Sequence, residues 1–196
     1  MCPPDPSDLA AYAESLDRIT VGELKPLAHP IEIRGYDPEW PRLYEREEAR
    51  IRAALGDRAV SVEHAGSTSV PDLPAKPIID IVLEVPDSAD EPAYATPLEA
   101  SGYALRIREP DWYEHRMFRG PDTKVNLHVF TAGCEEAVRM LLFRDWLRDN
   151  ADDRDRYAAA KRELASRDWT YMQQYADAKG EVVEAILSRG EGSGEA

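Results

Sequence analysis

Cysteine is scarce in this chain. Cys2 and Cys134 are the two among 196 residues, far apart in sequence and one of them close to a terminus, so neither a disulfide framework nor a Cys-rich metal site is suggested. Positive charge is short as well: 24 Lys and Arg stand against 38 Asp and Glu, a formal net charge of -14, with a pI near 4.7. That balance argues against nucleic acid or an anionic membrane as partner, because binding a polyanion needs a broad basic surface. A small local basic site stays open. No apolar run approaches the roughly 18 residues of a membrane span, and the opening MCPPDPSDLAAYAESLD is acidic without a signal-peptide apolar region. Domain-sized internal repeats are also missing. These absences predict a soluble, unprocessed, cytoplasmic protein with no nucleic acid and no membrane among its partners.

What is present is enough chain for one domain with a sizeable core. Residues 1–30 read as an N-terminal extension with a short helix over Asp8 to Leu16. A single domain then spans 31–188, sheet-rich over 31–131 and helical over 135–188, and RGEGSGEA at 189–196 reads as a disordered tail. Strands are predicted at Ile31 to Ile33, Ala59 to His64, Ile78 to Val85, Ala104 to Arg108, Arg116 to Phe118 and Lys124 to Phe130. Asp37 and Pro38 predict the start of a helix that Gly56 stops, and three helices are predicted near 135–149, 152–167 and 169–188. The fold class is therefore α+β: a mixed β-sheet with flanking helices and a C-terminal helical segment.

Chemistry concentrates in HAGSTSVPDLPAKPIIDIVLEV, His64 to Val85. The turn Gly66, Ser67, Thr68, Ser69 offers a glycine for a tight bend and three hydroxyls with backbone N–H groups that can wrap phosphate oxygens, although helix capping would use the same residues. Asp80 sits in an apolar strand, where an ionised carboxylate costs several kcal/mol, roughly, unless a metal, a cation or hydrogen-bond donors meet it. Either it serves a site or it forms a buried salt bridge, with Lys76 as the nearby cation. On VNLHVF, Asn126 and His128 share one face, and His128 can be a metal ligand, a general base, a phosphate contact or a satisfied structural residue. His64 reads as a brace for the turn. Arg116 and Lys124, flanking the hairpin, are candidates for anion contact. On 135–149 the residues Val138, Leu141, Leu142 and Trp146 predict an apolar arc with Asp145 in its middle. In Tyr157-x-x-x-Lys161 and Tyr175-x-x-x-Lys179 each lysine stands one turn above a tyrosine, placed either to reach a shared cleft or to lie on the surface.

A Gly-Ser turn followed by an acid-bearing strand is similar to the nucleotidyltransferase superfold. More closely, the segments YDPEWPRLYEREEARIRAALG, VEHAGSTSVPDLPAKPIIDIVLEV, NLHVF, LLFRDWLR and the Tyr-x-x-x-Lys pairs resemble the GrpB family over about residues 31–186. The resemblance implies a nucleotidyltransferase-like domain that binds a nucleotide or other phosphorylated ligand with Mg2+. The turn would hold phosphates and Asp80 the metal, with Lys76 and His128 beside them as catalytic candidates. Arg116, Lys124, Lys161 and Lys179 would contact ligand charge. A nucleoside triphosphate is the implied substrate, with a nucleotidyl group passing to a small molecule. Two positions depart from the pattern: the family's Pro-Gly-Leu is Pro71-Asp72-Leu73, and Val82 stands where the superfold's D-x-[DE] has its second acid. The missing second acid at Val82 suits an alternative, a non-catalytic regulatory or helper module related to nucleotides or coenzyme A. GrpB-like domains also occur fused to dephospho-CoA kinases, which makes such a kinase a candidate partner. An amide- or ester-forming enzyme on the same fold is a further alternative.

Overall fold

The computed structural model describes residues 6–192. Five strands, β1 (Ser61–Ala65), β2 (Ile79–Val85), β3 (Ala104–Glu109), β4 (His115–Arg119) and β5 (Val125–Thr131), form one sheet in the order β1-β2-β5-β4-β3. The central pair β2 and β5 is parallel and the other pairs are antiparallel. β2 lies inside the sheet with both neighbours present, which explains its near-continuous apolar run.

The two faces bury different things. Ile79, Ile81 and Leu83 of β2, Leu127 and Val129 of β5 and Phe118 of β4 pack on α2 (Trp40–Leu55) and α3 (Glu91–Ala100) through Ile51, Leu55, Tyr94 and Leu98. On the other face Val82, Phe130 and Ala65 meet Ala137 of α4 (Glu135–Asp149). A third cluster joins Val70 and Leu73, just after the Gly-Ser turn, to Leu147 of α4, Tyr157 and Ala158 of α5 (Ala151–Ala165) and Ile186 of α7 (Gly180–Gly192). The helical segment is thereby docked on the turn itself, with α6 (Met172–Ala178) between α5 and α7.

Several boundaries differ from the sequence reading. Residues 31–33 form no strand; Arg34 alone pairs, with Ala75, as an isolated bridge. Helix α2 starts at Trp40, because the Asp37 carboxylate accepts the Glu39 N–H at 2.9 Å and holds the preceding residues in a turn. The last predicted helix breaks at Lys179 into α6 and α7. On α4, Val138 and Leu142 are exposed while Ala137, Arg144 and Leu147 are buried, so the inward face is rotated from the predicted arc. The extension contains α1 (Pro6–Ile19), and Thr20 then bridges to Ile107 of β3. Residues 189–192 of the expected tail belong to α7, whereas 193–196 and Cys2 lie outside the described residues. Among the described residues no helix is long and apolar enough to cross a membrane.

Candidate functional site

β1 ends at Ala65, which pairs with Asp80 of β2. Gly66 follows at φ 66°, and a Cβ there would lie 2.4 Å from the Asp80 Oδ2. Only glycine satisfies both the backbone angle and the close approach of the carboxylate. The chain then makes a 3-10 turn over Ser67–Ser69. Two of its three hydroxyls are turned inward: Thr68 Oγ1 donates to the Ile78 carbonyl at 3.2 Å and meets His64 Nε2 at 3.0 Å, and Ser69 Oγ donates to the Gly66 carbonyl at 2.6 Å. Thr68 and Ser69 thus use their hydroxyls to brace the turn. His64 also braces it, stacked on Tyr44 at 4.7 Å and held to about 4 by burial and by the charges of Arg148 and Arg144. Ser67 remains, partly exposed, with its hydroxyl turned to a lysine.

Asp80, Asn126 and Arg119 form one row across β2, β5 and β4. The Asn126 amide nitrogen donates to Asp80 Oδ1 at 2.6 Å, and its oxygen accepts from the Arg119 guanidinium. Burial pushes the Asp80 carboxyl above its ordinary value, against the Asn126 hydrogen bond and the charges of Lys76, Lys179 and Arg119. Among the described residues no cation comes within ion-pair distance of it, so the alternative of a salt bridge with Lys76 is not formed.

The lysines converge over this row. Lys161 is buried and donates to Ser67 Oγ at 2.8 Å and to the Pro74 carbonyl at 2.5 Å, with its ammonium over the Tyr157 ring. Lys76 and Lys179 share the Tyr175 ring, at 4.9 and 5.1 Å from its centroid. Each Tyr-x-x-x-Lys spacing thus becomes a cation–π contact one helical turn apart. Burial, with Lys179, Arg162 and Lys76 adding repulsion, holds Lys161 down to about 6. The same effects, from burial, Lys179 and Arg119, hold Lys76 at about 8. Three amines and a guanidinium therefore crowd one carboxylate within an acidic protein.

His128 stands one pleat beyond Asn126 on the same face, beside Val82. Its Nδ1 lies 3.0 Å from His115 Nε2, and His115 Nδ1 lies 2.7 Å from Glu109 Oε2. Burial, with help from His115 and Arg119, lowers His128 to about 3.

Two predicted residues fall elsewhere. Arg116 points to the opposite face, buried, and is held by Glu91 of α3 at 2.8 Å and by Glu114 at 3.2 Å. Its charge is spent on anchoring α3, which corrects its reading as an anion contact. Lys124 is exposed just before β5, where its charge acts on Glu32. Asp145 braces Arg144 and Arg148, and the buried Arg144 reaches Glu63 and the His64 carbonyl at 2.8 and 3.0 Å. Glu84 accepts the Gly133 N–H and fixes the β5–α4 turn. Arg119, Glu109, His115 and Arg144 were not singled out from the sequence. Their contacts depend on strand register and helix rotation, for which the hairpin loop alone gave no signal.

Among the described residues no three His, Cys, Asp or Glu side chains gather to hold a metal. Val82, at the second-acid position, is fully buried against Ala65, Phe130 and Ala137. A magnesium ion held by protein groups alone does not fit this donor set. One carboxylate completed by phosphate oxygens and water is the coordination a nucleotide-borne magnesium commonly takes, and Asp80 fits that smaller demand.

A family model described as GrpB protein matches residues 30–189. The UPF0157 protein BH1888 of Halalkalibacterium halodurans is 60% identical over 90% of this chain and 90% of its own length. The crystal structure of the conserved protein GrpB from Enterococcus faecalis has a TM-score of 0.67 at 30% identity, covering 81% of this chain and 98% of that one. A protein named dephospho-CoA kinase, from Mycolicibacterium paratuberculosis, is 31% identical over 70% of this chain and 40% of its own length. By family match, sequence identity and fold, the chain belongs to the GrpB family.

Proposed function

We propose that the protein binds a nucleoside triphosphate or a ligand of similar phosphate charge in the cleft between β2, β5 and the α5–α6 region. The observation that carries this reading is the crowding of Lys76, Lys161, Lys179 and Arg119 around Asp80, with two of the amines held well below their ordinary values. Asp80 is the carboxylate whose charge acts on Lys76 and Lys161, and a polyanion would add the negative charge that favours the protonated amines. Ser67 and Lys161 would meet phosphate oxygens. Asp80 would orient a magnesium ion brought in on the phosphates, and transfer of a nucleotidyl group to a small acceptor is the reaction this arrangement suits.

Isothermal titration with ATP, CTP, GTP and coenzyme A, each with and without magnesium, tests the reading. Binding of at least one triphosphate is expected, lost in Lys161→Met and losing its magnesium dependence in Asp80→Ala. Absence of heat for every nucleotide would refute it. The likeness to a dephospho-CoA kinase supports a second reading, a module that assists such a kinase. If added protein changes that kinase's stability or activity while no triphosphate is consumed, this reading replaces transfer.

A further inference from the structure

Glu109, His115 and His128 make a continuous chain from the outer strand β3 through β4 to β5, ending on the face that carries Asp80. We propose that Glu109 and His115 are positioning residues that fix His128 as its Nδ1–H tautomer, so that the Nε2 lone pair faces the cleft and accepts the proton of a bound hydroxyl or amine. The proposal rests on the reading of the cleft as a ligand site and deepens it by naming the acceptor class.

The polarity of the chain follows from its fixed end. A carboxylate accepts, so His115 Nδ1 carries the hydrogen shared with Glu109. A neutral imidazole has one N–H, so His115 Nε2 is an acceptor, and the His128 Nδ1 facing it must donate. His128 Nε2 is then left without a hydrogen. Among the described residues that atom makes no hydrogen bond, and no buried side-chain nitrogen or oxygen among them lacks a partner, so it is not sealed from solvent. The ring nitrogens diverge, which turns Nε2 away from His115.

The surroundings hold the chain in place. His115 is buried, stacked on Phe130 at 4.8 Å, with the Trp112 ring edge-on at 5.3 Å. Tyr113 and Glu114, the two residues before it, both have positive φ, 55° and 49°. Neither is glycine, and such conformations cost roughly 1–3 kcal/mol each and persist where the surrounding structure enforces them. Here they swing Trp112 over His115 as β4 begins.

The chain also says where a proton goes. Burial and the nearby Arg119 disfavour an imidazolium at His128. When a ligand proton arrives at Nε2, the Nδ1 proton passes to His115 Nε2. The ligand loses one proton, His128 exchanges one for another, and His115 gains one opposite Glu109. The other charged groups that act here are Arg119 on β4 and Glu136 on α4, the latter within reach of the His115 charge.

Two-bond 1H–15N spectra of the 15N-labelled free protein near neutral pH read the tautomer directly. The expected result is a protonated Nδ1 and a pyridine-type Nε2 at His128, lost in His115→Phe and mixed in Glu109→Gln. A protonated Nε2 in the wild-type protein, or an unchanged tautomer in both folded variants, would overturn the proposal. If His115→Phe fails to fold by thermal unfolding, the wild-type spectrum and Glu109→Gln still decide. No nucleotide is used, so failure here is distinguishable from failure of the nucleotide reading.

Discussion

Replacing Lys161 by methionine keeps the length and apolar stem of the side chain and removes only the amine. In the fold that amine titrates at about 6 against an ordinary 10.5. Between those values the unfolded chain binds a proton that the folded chain does not, so wild-type stability is lower there than it would be without the group. The deficit grows as pH falls from 10.5 and levels off below about 6. At about 1.4 kcal/mol per pH unit, the deficit near neutrality is roughly 4–5 kcal/mol. Against it stand Ser67 Oγ and the Pro74 carbonyl, which would lose their donor at a cost of about 1–3 kcal/mol. The variant should therefore be more stable than wild type near neutral pH by about 1–4 kcal/mol, an advantage shrinking by up to about 1.4 kcal/mol per pH unit as the medium is made alkaline. Urea unfolding of both proteins across that range measures it. Triphosphate binding supplies a second readout: wild type should take up close to one proton on binding near neutral pH, seen as a titration heat that depends on the buffer. A stability difference that does not change with pH, together with binding that takes up no proton, would refute the account of Lys161 as a buried, uncompensated amine.

Gly66→Ala should cost about 2 kcal/mol or more, because it forces a side chain into positive φ and into the Asp80 carboxylate; urea unfolding reads the loss, and titration should show triphosphate binding lost with it. Asp72→Gly should raise stability by about 0.5 kcal/mol, since Asp72 is held at φ 63° in the left-handed region, a cost that glycine does not carry; thermal unfolding measures it. Arg144→Met should lower stability by about 2 kcal/mol, leaving the His64 carbonyl and the Glu63 carboxylate without their donor; a normal melting temperature would count against that anchor.

Local chemistry was legible in the sequence and cross-chain placement was not. The Gly-Ser turn, the strand bearing Asp80, the face shared by Asn126 and His128 and the Tyr-x-x-x-Lys spacing all follow from periodicities of two or 3.6 within a single element. Arg116 and Arg119 show where this stops. Three residues apart on β4, they point to opposite faces, one onto Glu91 and the other onto Asn126. Which of them joins Asp80 depends on the β4–β5 register, and that register was not visible in the hairpin sequence. The arc on α4 holds only in part for a related reason: Leu141 and Trp146 pack inward, but Arg144 is also held inward by Glu63 and the His64 carbonyl, and Val138 and Leu142 are turned out.

Val82 shows what the departure at the second-acid position means physically. Read from the sequence, it is a carboxylate missing from a metal clamp; in the fold it is a fully buried contact between the sheet and α4, beside Phe130 and Ala137. Restoring the acid should therefore fail as an engineering step. Val82→Asp would place a carboxylate in an apolar cluster at a cost of at least about 3 kcal/mol, and α4 rather than solvent would face it. Unfolding and magnesium titration are expected to show a destabilised protein with no added magnesium affinity. A stable Val82→Asp variant that binds magnesium without nucleotide would instead mean that α4 can move off this face and that a two-carboxylate site lies beneath it.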